Sequence, residues 1–350
     1  MSNFKKLRGP SWLIAALVAA SLSGCNMVVL NPAGDVAAQS GRLVVIATLL
    51  MLIIIIPVLL LTFFFAWKYR ESNAAPDYDP EWHHSTSLEL IIWSVPLLII
   101  IALGALTWIY THKLDPYRPI DRIDASRPLP EGTKPLVIEA VAMDWKWLFI
   151  YPEQGIATVN EVAAPVDRPV EFKLTATTTM NAFYVPDFAG MIYAMPGMET
   201  RLNGVINRAG VFEGKGSHYS GAGFAGMTFK LHGLSDGDFA QWVQKTKAEG
   251  GSLTRGEYQQ LAKPSERDPV RLFKAVDKDL YHAVLNRCVE EGKMCMDEMM
   301  AKDALANIKA RAESKQSLLN PPADDVCTVR DAVRIASTLS AGEAQAIVAQ

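Results

Sequence analysis

"PLVIEAVAMDWKWLFIYP", residues 135–152, is the stretch that decides how this chain folds. It opens a region of short alternating apolar and polar runs. "ATVNEV" (157–162), "RPVEFKLTAT" (168–177), "MIYAMPGMETRLNGVIN" (191–207) and "GFAGMTFKLHGL" (223–234) follow it, separated by clusters of Gly, Pro, Asn and Asp. Short runs of this period bounded by turn residues predict strands, so residues 135–233 are expected to form an all-β domain, an antiparallel sandwich or barrel.

Downstream the texture becomes helical. "SDGDFAQWVQKTKAEG" (235–250) reads as a capped helix, and "TRGE" (254–257) has the Ser/Thr-x-x-Glu form of a capping box. "DKDLYHAVLNRCVEEG" and "DEMMAKDALANIKARAESK" are amphipathic. Residues 234–350 are therefore expected to be a helical extension, whose last twenty residues or so dock loosely or not at all.

Upstream, residues 43–67 hold no ionisable side chain. At about 1.5 Å per residue they are long enough to cross a hydrocarbon layer of about 30 Å. Residues 89–110 form a second span, with Trp93 and Trp108 near its ends where indoles favour the interface. Pro57 and Pro96 interrupt the two runs, which bilayer helices tolerate when neighbours satisfy the freed carbonyls. A two-helix hairpin follows, with a loop at 68–88 and a linker at 111–134. The N-terminus carries Lys5, Lys6 and Arg8 before the apolar run 12–20, the layout of an export signal over residues 1–24. "LSGC" (22–25) resembles the lipobox of bacterial lipoproteins, which would make Cys25 a lipidated N-terminus; the competing reading is an incidental cysteine in an uncleaved anchor. Export places residues 25–42 and everything after 110 outside, and the 68–88 loop, with Lys68 and Arg70, inside. A net charge of −3, without a basic run or a phosphate-cradling glycine loop, argues against nucleic acid as a partner.

Export signal, helix hairpin and outer β-domain, with "DWKW" (144–147) early and "GFAGM" (223–227) late, resemble subunit II of the haem–copper terminal oxidases, in the quinol oxidase branch of cytochrome bo type. The resemblance spans roughly residues 10–290. It implies a cupredoxin-like β-barrel behind the transmembrane hairpin. In the cytochrome c branch of the family that barrel holds a dinuclear copper centre on a Cys-x-Glu-x-Cys-x3-His-x2-Met loop, with a further histidine on an earlier strand. Aligned on Met227, the loop pattern falls on Gly216, His218, Ser220 and Phe224, and the earlier histidine on Asn181. Glycine and phenylalanine offer no donor atom, and copper of this kind needs thiolate and imidazole. A lone methionine or histidine is more often packing or hydrogen-bonded than a ligand. The resemblance therefore implies no metal, no cofactor and no catalytic residue in this chain, and no soluble cytochrome c as donor. Haems, one copper and ubiquinol would belong to subunit I, with subunits III and IV and membrane lipid as further partners, in a bacterial inner membrane.

Two further assignments follow from the resemblance. Trp145 and Trp147 match an aromatic segment near subunit I, which is expected here to serve as a plug. Glu89, in "SLELIIWSVP", matches the carboxylate at the mouth of a proton pathway; an acid at that depth is costly unless it faces protein or water. The bland alternative is an interfacial carboxylate marking the helix end. Cys288, Cys295 and Cys327 would lie in an oxidising compartment, where at most one bridge can form among three. Cys288 and Cys295 are two helical turns apart, too far to join unless Gly292 breaks the helix. The methionines around Cys295 are read as packing ahead of copper holding. The competing reading of the whole chain is an assembly or binding lipoprotein built on a cupredoxin barrel.

Overall fold

The computed structural model describes residues 27–73 and 81–319, so the export signal 1–24, Cys25 and Cys327 lie outside the described residues. The chain forms two compact units, Met1–Glu291 and Gly292–Gln350. The second contributes one described helix, Met296–Leu319.

Helix α1 (Asp35–Lys68) and helix α2 (Thr86–Lys113) carry the two apolar runs, and both are long and apolar enough to cross a membrane. Each has its proline inside. Helix α1 starts eight residues before its apolar run, because Asp35 complements the positive end of the helix dipole. Arg122 also grips both oxygens of Asp35, at 2.8 and 3.1 Å. His112 and Lys113 in the last turn of α2 complement the opposite pole.

The β-domain is built from β1 (Leu136–Met143), β2 (Lys146–Tyr151), β3 (Ile156–Val159), β4 (Glu161–Pro165), β5 (Pro169–Ala176), β6 (Asn181–Tyr184), β7 (Ile192–Ala194), β8 (Thr200–Val205), β9 (Gly210–Gly216) and β10 (Thr228–Leu234). Two further strands, β11 (Gly251–Leu253) and β12 (Arg271–Val276), come from the segment expected to be helical. The sheets run β11-β12-β3-β2-β1-β5-β8 and β4-β10-β9-β6-β7. The extension is thus mixed rather than helical: α3 (Asp236–Glu249), α4 (Arg255–Leu261) and α5 (Leu280–Leu285) alternate with strands. Strand β12 escaped the sequence reading because, of its six residues, only Phe273 is fully buried, leaving almost no period to read. The capping signals do hold: Ser235 accepts from the Asp238 amide and Thr254 from the Glu257 amide.

The sheets are also not purely antiparallel. Strands β1 and β5, β4 and β10, and β11 and β12 pair in parallel. Alternation reports which face is buried, and strand direction is set by connections that the pattern does not encode.

Between the sheets lies an aromatic core of Trp147, Phe149, Phe172, Phe183 and Phe229, with Phe183 and Phe229 stacked at 5.1 Å between ring centres. A second core covers the other face of the larger sheet, where Val141, Met143, Leu148 and Ile150 pack against Tyr258, Leu261, Phe273, Leu280 and Val284. Every residue of β2 is consequently buried. A strand covered on both faces loses strict alternation, which is why "KWLFIY" reads as a nearly continuous apolar run.

Candidate functional site

Strands β1 and β2 are joined by a two-residue turn, since Met143 pairs with Lys146 across it. Its second residue, Trp145, has φ of 66°, a left-handed backbone that costs a bulky side chain about 1–2 kcal/mol and usually goes to Gly or Asn. The turn thereby lifts the indole out of the strand register and lays it on the loop between β9 and β10. Its Nε1 donates to the Ser220 carbonyl at 3.0 Å. A Cβ added to Gly223 would stand 2.4 Å from the indole, so only glycine lets the loop lie this close.

The loop itself closes through backbone and packing. The Gly216 amide donates to the Met227 carbonyl at 3.0 Å, joining the ends, and a single 3-10 turn, Phe224–Gly226, leads into β10. Met227 is buried, and its Sδ would lie 3.1 Å from a Cβ built on Gly216. The thioether fills the space that a side chain at 216 would need. The Ser217 amide donates to the Ala182 carbonyl at 2.9 Å, which brings Asn181 on β6 beside this loop. Asn181 is buried and turns its amide nitrogen to the Thr179 carbonyl at 3.0 Å. His218 packs edge-on against Tyr193, and Phe224 edge-on against Tyr219. An open cleft of about 760 Å³ runs beside the loop, with Tyr184, Met191, Phe224 and Met227 in its walls. Asn181, Gly216, His218, Ser220, Phe224 and Met227, scattered over 47 residues of sequence, therefore share one end of the β-domain. Among the described residues, no group of three or more His, Cys, Asp or Glu side chains could hold a metal ion.

Trp147 is wholly buried, edge-on to Phe183 at 5.2 Å, a core position that leaves its side chain no exposed surface of its own. Of the two tryptophans only Trp145 is exposed in part, because the turn rotates it away from the inward-facing position that Trp147 takes on β2.

Two family models match the chain: "Cytochrome C oxidase subunit II, periplasmic domain" over residues 153–233, and "COX Aromatic Rich Motif" over residues 247–292. The chain is 46% identical over 297 residues to the cytochrome bo(3) ubiquinol oxidase subunit 2 of Pseudomonas putida, an alignment covering 84% of this chain and 91% of that one. The chain belongs to the ubiquinol oxidase subunit 2 family. The ubiquinol oxidase subunit 2 of Acetobacter aceti is 42% identical over 80% of this chain and 88% of its own length. Among solved structures, the periplasmic domain of subunit II of cytochrome oxidase from Bradyrhizobium japonicum matches at 26% identity with a TM-score of 0.32, covering 33% of this chain and 94% of that domain.

As a ubiquinol oxidase subunit 2, the chain is part of an oxidoreductase complex, and its 247–292 segment is locked to the start of β2 by a residue, just upstream of the 153–233 match, that the sequence reading passed over. Lys146 of "DWKW" is 1% exposed. Its Nζ pairs with Asp268 at 3.2 Å and donates to the Leu261 and Lys263 carbonyls at 3.0 and 2.8 Å, so all three ammonium protons are used. Burial alone would raise the pKa of Asp268, but hydrogen bonds from Ser265 and Lys146 and the charges of Lys146 and Arg271 bring it below the usual carboxylate value. Asn160 works alongside, accepting the Trp147 amide at 2.9 Å and donating to the Asp268 carbonyl at 2.9 Å. A lysine between two tryptophans at the start of an apolar strand is the one signal that could have revealed this, since a buried ammonium requires an acid elsewhere in the chain.

Glu89 lies in the first turn of α2, where His84 Nδ1 meets its Oε1 at 2.8 Å and His84 Nε2 meets Thr86 Oγ1 at 3.1 Å. Both His84 and Glu89 are half-exposed. Cys288 and Cys295 are each disulfide-bonded, and Gly292 between them has φ of 77°, which ends any helix there.

Proposed function

We propose that this chain is the non-catalytic subunit II of a proton-pumping respiratory ubiquinol oxidase, held in a bacterial inner membrane by α1, α2 and a lipid on Cys25, with its β-domain in the periplasm. Subunit I would carry the haems and a copper, oxidise ubiquinol and reduce oxygen to water; subunits III and IV complete the complex. The names of the relatives support the quinol assignment.

The observation that carries this reading is the loop from Gly216 to Met227. A dinuclear copper centre needs thiolates and imidazoles converging on one point. Here the aligned positions present a glycine, a serine, a phenylalanine and an asparagine. Met227 Sδ packs into the space beside Gly216, and His218 lies against Tyr193. This donor set does not fit copper. Without it the β-domain has no acceptor for single electrons from a soluble cytochrome, so reducing equivalents must reach subunit I from the membrane as quinol. Trp145 keeps the loop in shape for contact with subunit I.

Glu89 is assigned to the entrance of a proton pathway. What supports it is its place at the first turn of a spanning helix, with an imidazole in hydrogen-bond contact on the side facing away from the β-domain. The rival assembly-lipoprotein reading leaves both apolar helices and this acid without a purpose.

The test is oxygen consumption by the complex purified through a tag on this chain, with ubiquinol and with reduced cytochrome c offered separately. Consumption with ubiquinol alone is expected. Consumption with cytochrome c would overturn the reading of the loop, and a preparation without oxidase activity would favour the assembly protein.

A further inference from the structure

Where α1 begins and α2 ends, a cavity of about 250 Å³ opens against the linker that leads to the β-domain. It has room for roughly eight waters. Its depth is set by the apolar runs. Lys113, on the wall, stands three residues beyond Tyr110, about 4–5 Å past the run, and Gln39 stands four residues before Leu43, about 6 Å from it. The headgroup layer on each side of a bilayer is about 5–7 Å thick. The lower rim of the cavity therefore lies among phospholipid headgroups.

The cavity is preformed. Arg122 and Asp35 close its back wall with their two-pronged pair, and Asp35 is almost wholly buried. The Ala33 and Gly34 amides both donate to the Asp187 carbonyl, at 3.0 and 2.7 Å, which fastens the start of α1 to the β-domain. Asn203 pins the linker by donating its backbone amide and its side-chain nitrogen to the Pro116 carbonyl, at 3.0 and 3.1 Å.

Charge accounting then selects the occupant. Of the six charged residues lining the cavity, Arg122 is paired with Asp35 and Arg118 with Asp121. Lys113 and Asp115 remain, one of each sign and both exposed, without an ion-pair partner among the described residues. A ligand that carries a phosphate and an ammonium a few ångströms apart satisfies both. An anionic headgroup or inorganic phosphate satisfies Lys113 but faces Asp115 with like charge.

We propose that this cavity seats the headgroup of a zwitterionic aminophospholipid, with its phosphate on Lys113 and its ammonium on Asp115. The lipid clamps the ends of the two helices to the β-domain. The inference rests on the membrane-spanning reading of α1 and α2.

The test takes the whole oxidase, purified in detergent through a tag on this chain, and counts retained lipids by native mass spectrometry. The delipidated complex is then titrated with phosphatidylethanolamine, phosphatidylglycerol and inorganic phosphate. Wild type is expected to hold one more phosphatidylethanolamine than Lys113→Ala or Asp115→Asn, with rebinding about tenfold weaker in either variant. Lys113→Arg, which keeps the charge, should retain the lipid. Equal lipid counts in wild type and Lys113→Ala overturn the site. Equal binding of phosphatidylglycerol overturns the zwitterion assignment, and binding of inorganic phosphate alone overturns the lipid. A parallel alkaline carbonate wash of the Cys25→Ser chain, which has no lipid anchor, keeps the two readings apart: a chain that washes off the membrane refutes the spanning helices, whereas one that stays without a Lys113-dependent lipid refutes the headgroup seat alone.

Discussion

Replacing Lys146 by Met keeps the length and apolar stem of the side chain and removes only the ammonium. Three contacts go with it: the pair to Asp268 and the bonds to the Leu261 and Lys263 carbonyls. Breaking a buried pair from one side costs about 3–5 kcal/mol when the remaining charge is left alone. Asp268 is not left alone, since Ser265 still donates to it and Arg271 still pairs with it at 3.2 Å. The buried Leu261 carbonyl left without its donor, however, adds about 1–3 kcal/mol, and the half-buried Lys263 carbonyl less. The two corrections act in opposite directions, and the expected loss stays at about 3–5 kcal/mol. For a β-domain of this size that is a fall in Tm of about 6–20 °C. The assay is thermal unfolding of the full chain in detergent, with limited proteolysis of the 247–292 segment as the local readout. Asp268→Asn, which leaves the ammonium with a neutral acceptor, and the double variant complete a cycle in which the two losses should not add. Because Asp268 titrates below the usual carboxylate value in the folded chain, the stability it supplies is present above that usual value and is lost as the pH falls through the folded one. The gap between wild type and Lys146→Met should narrow over the same acid range. A Tm within about 2 °C of wild type at neutral pH would refute the idea that this pair fastens the 247–292 segment to β2.

Burial, reinforced by Glu199 and opposed by Lys173, pushes Glu139 up to about 7. A carboxyl with a raised folded pKa stabilises fully below its unfolded value and loses that contribution as the pH rises through 7. Glu139→Gln should therefore raise Tm at pH 8 and change it little at pH 4; an equal shift at both would count against the assignment. Trp145→Ala removes the indole over Gly221 and Gly223 and should open the 216–227 loop to proteolysis while the Tm of the domain falls modestly; an unchanged cleavage rate would mean the loop holds itself. Glu89→Gln should slow quinol-driven oxygen consumption without disassembling the complex, and His84→Ala should slow it less. Unchanged turnover in Glu89→Gln would remove the proton-pathway role.

The sequence by itself determined the parts that depend on local pattern. The two apolar runs became α1 and α2, the caps at Ser235 and Thr254 formed, and residues 135–233 became strands, because composition, period and capping act over a few residues. It also told which positions of the 216–227 loop lack donor atoms, since that is a matter of side-chain identity. Tertiary structure decided what depends on distant partners. The parallel pairings follow from chain connections, and β12 is a strand because β3 offers it an edge. Trp147 is core while Trp145 is a brace, although the residues are alike and two apart, because a strained turn separates them. The role of Lys146 was hidden for the same reason: its partners lie more than a hundred residues away, and a buried charge is explained only by the acid and carbonyls that the fold brings to it.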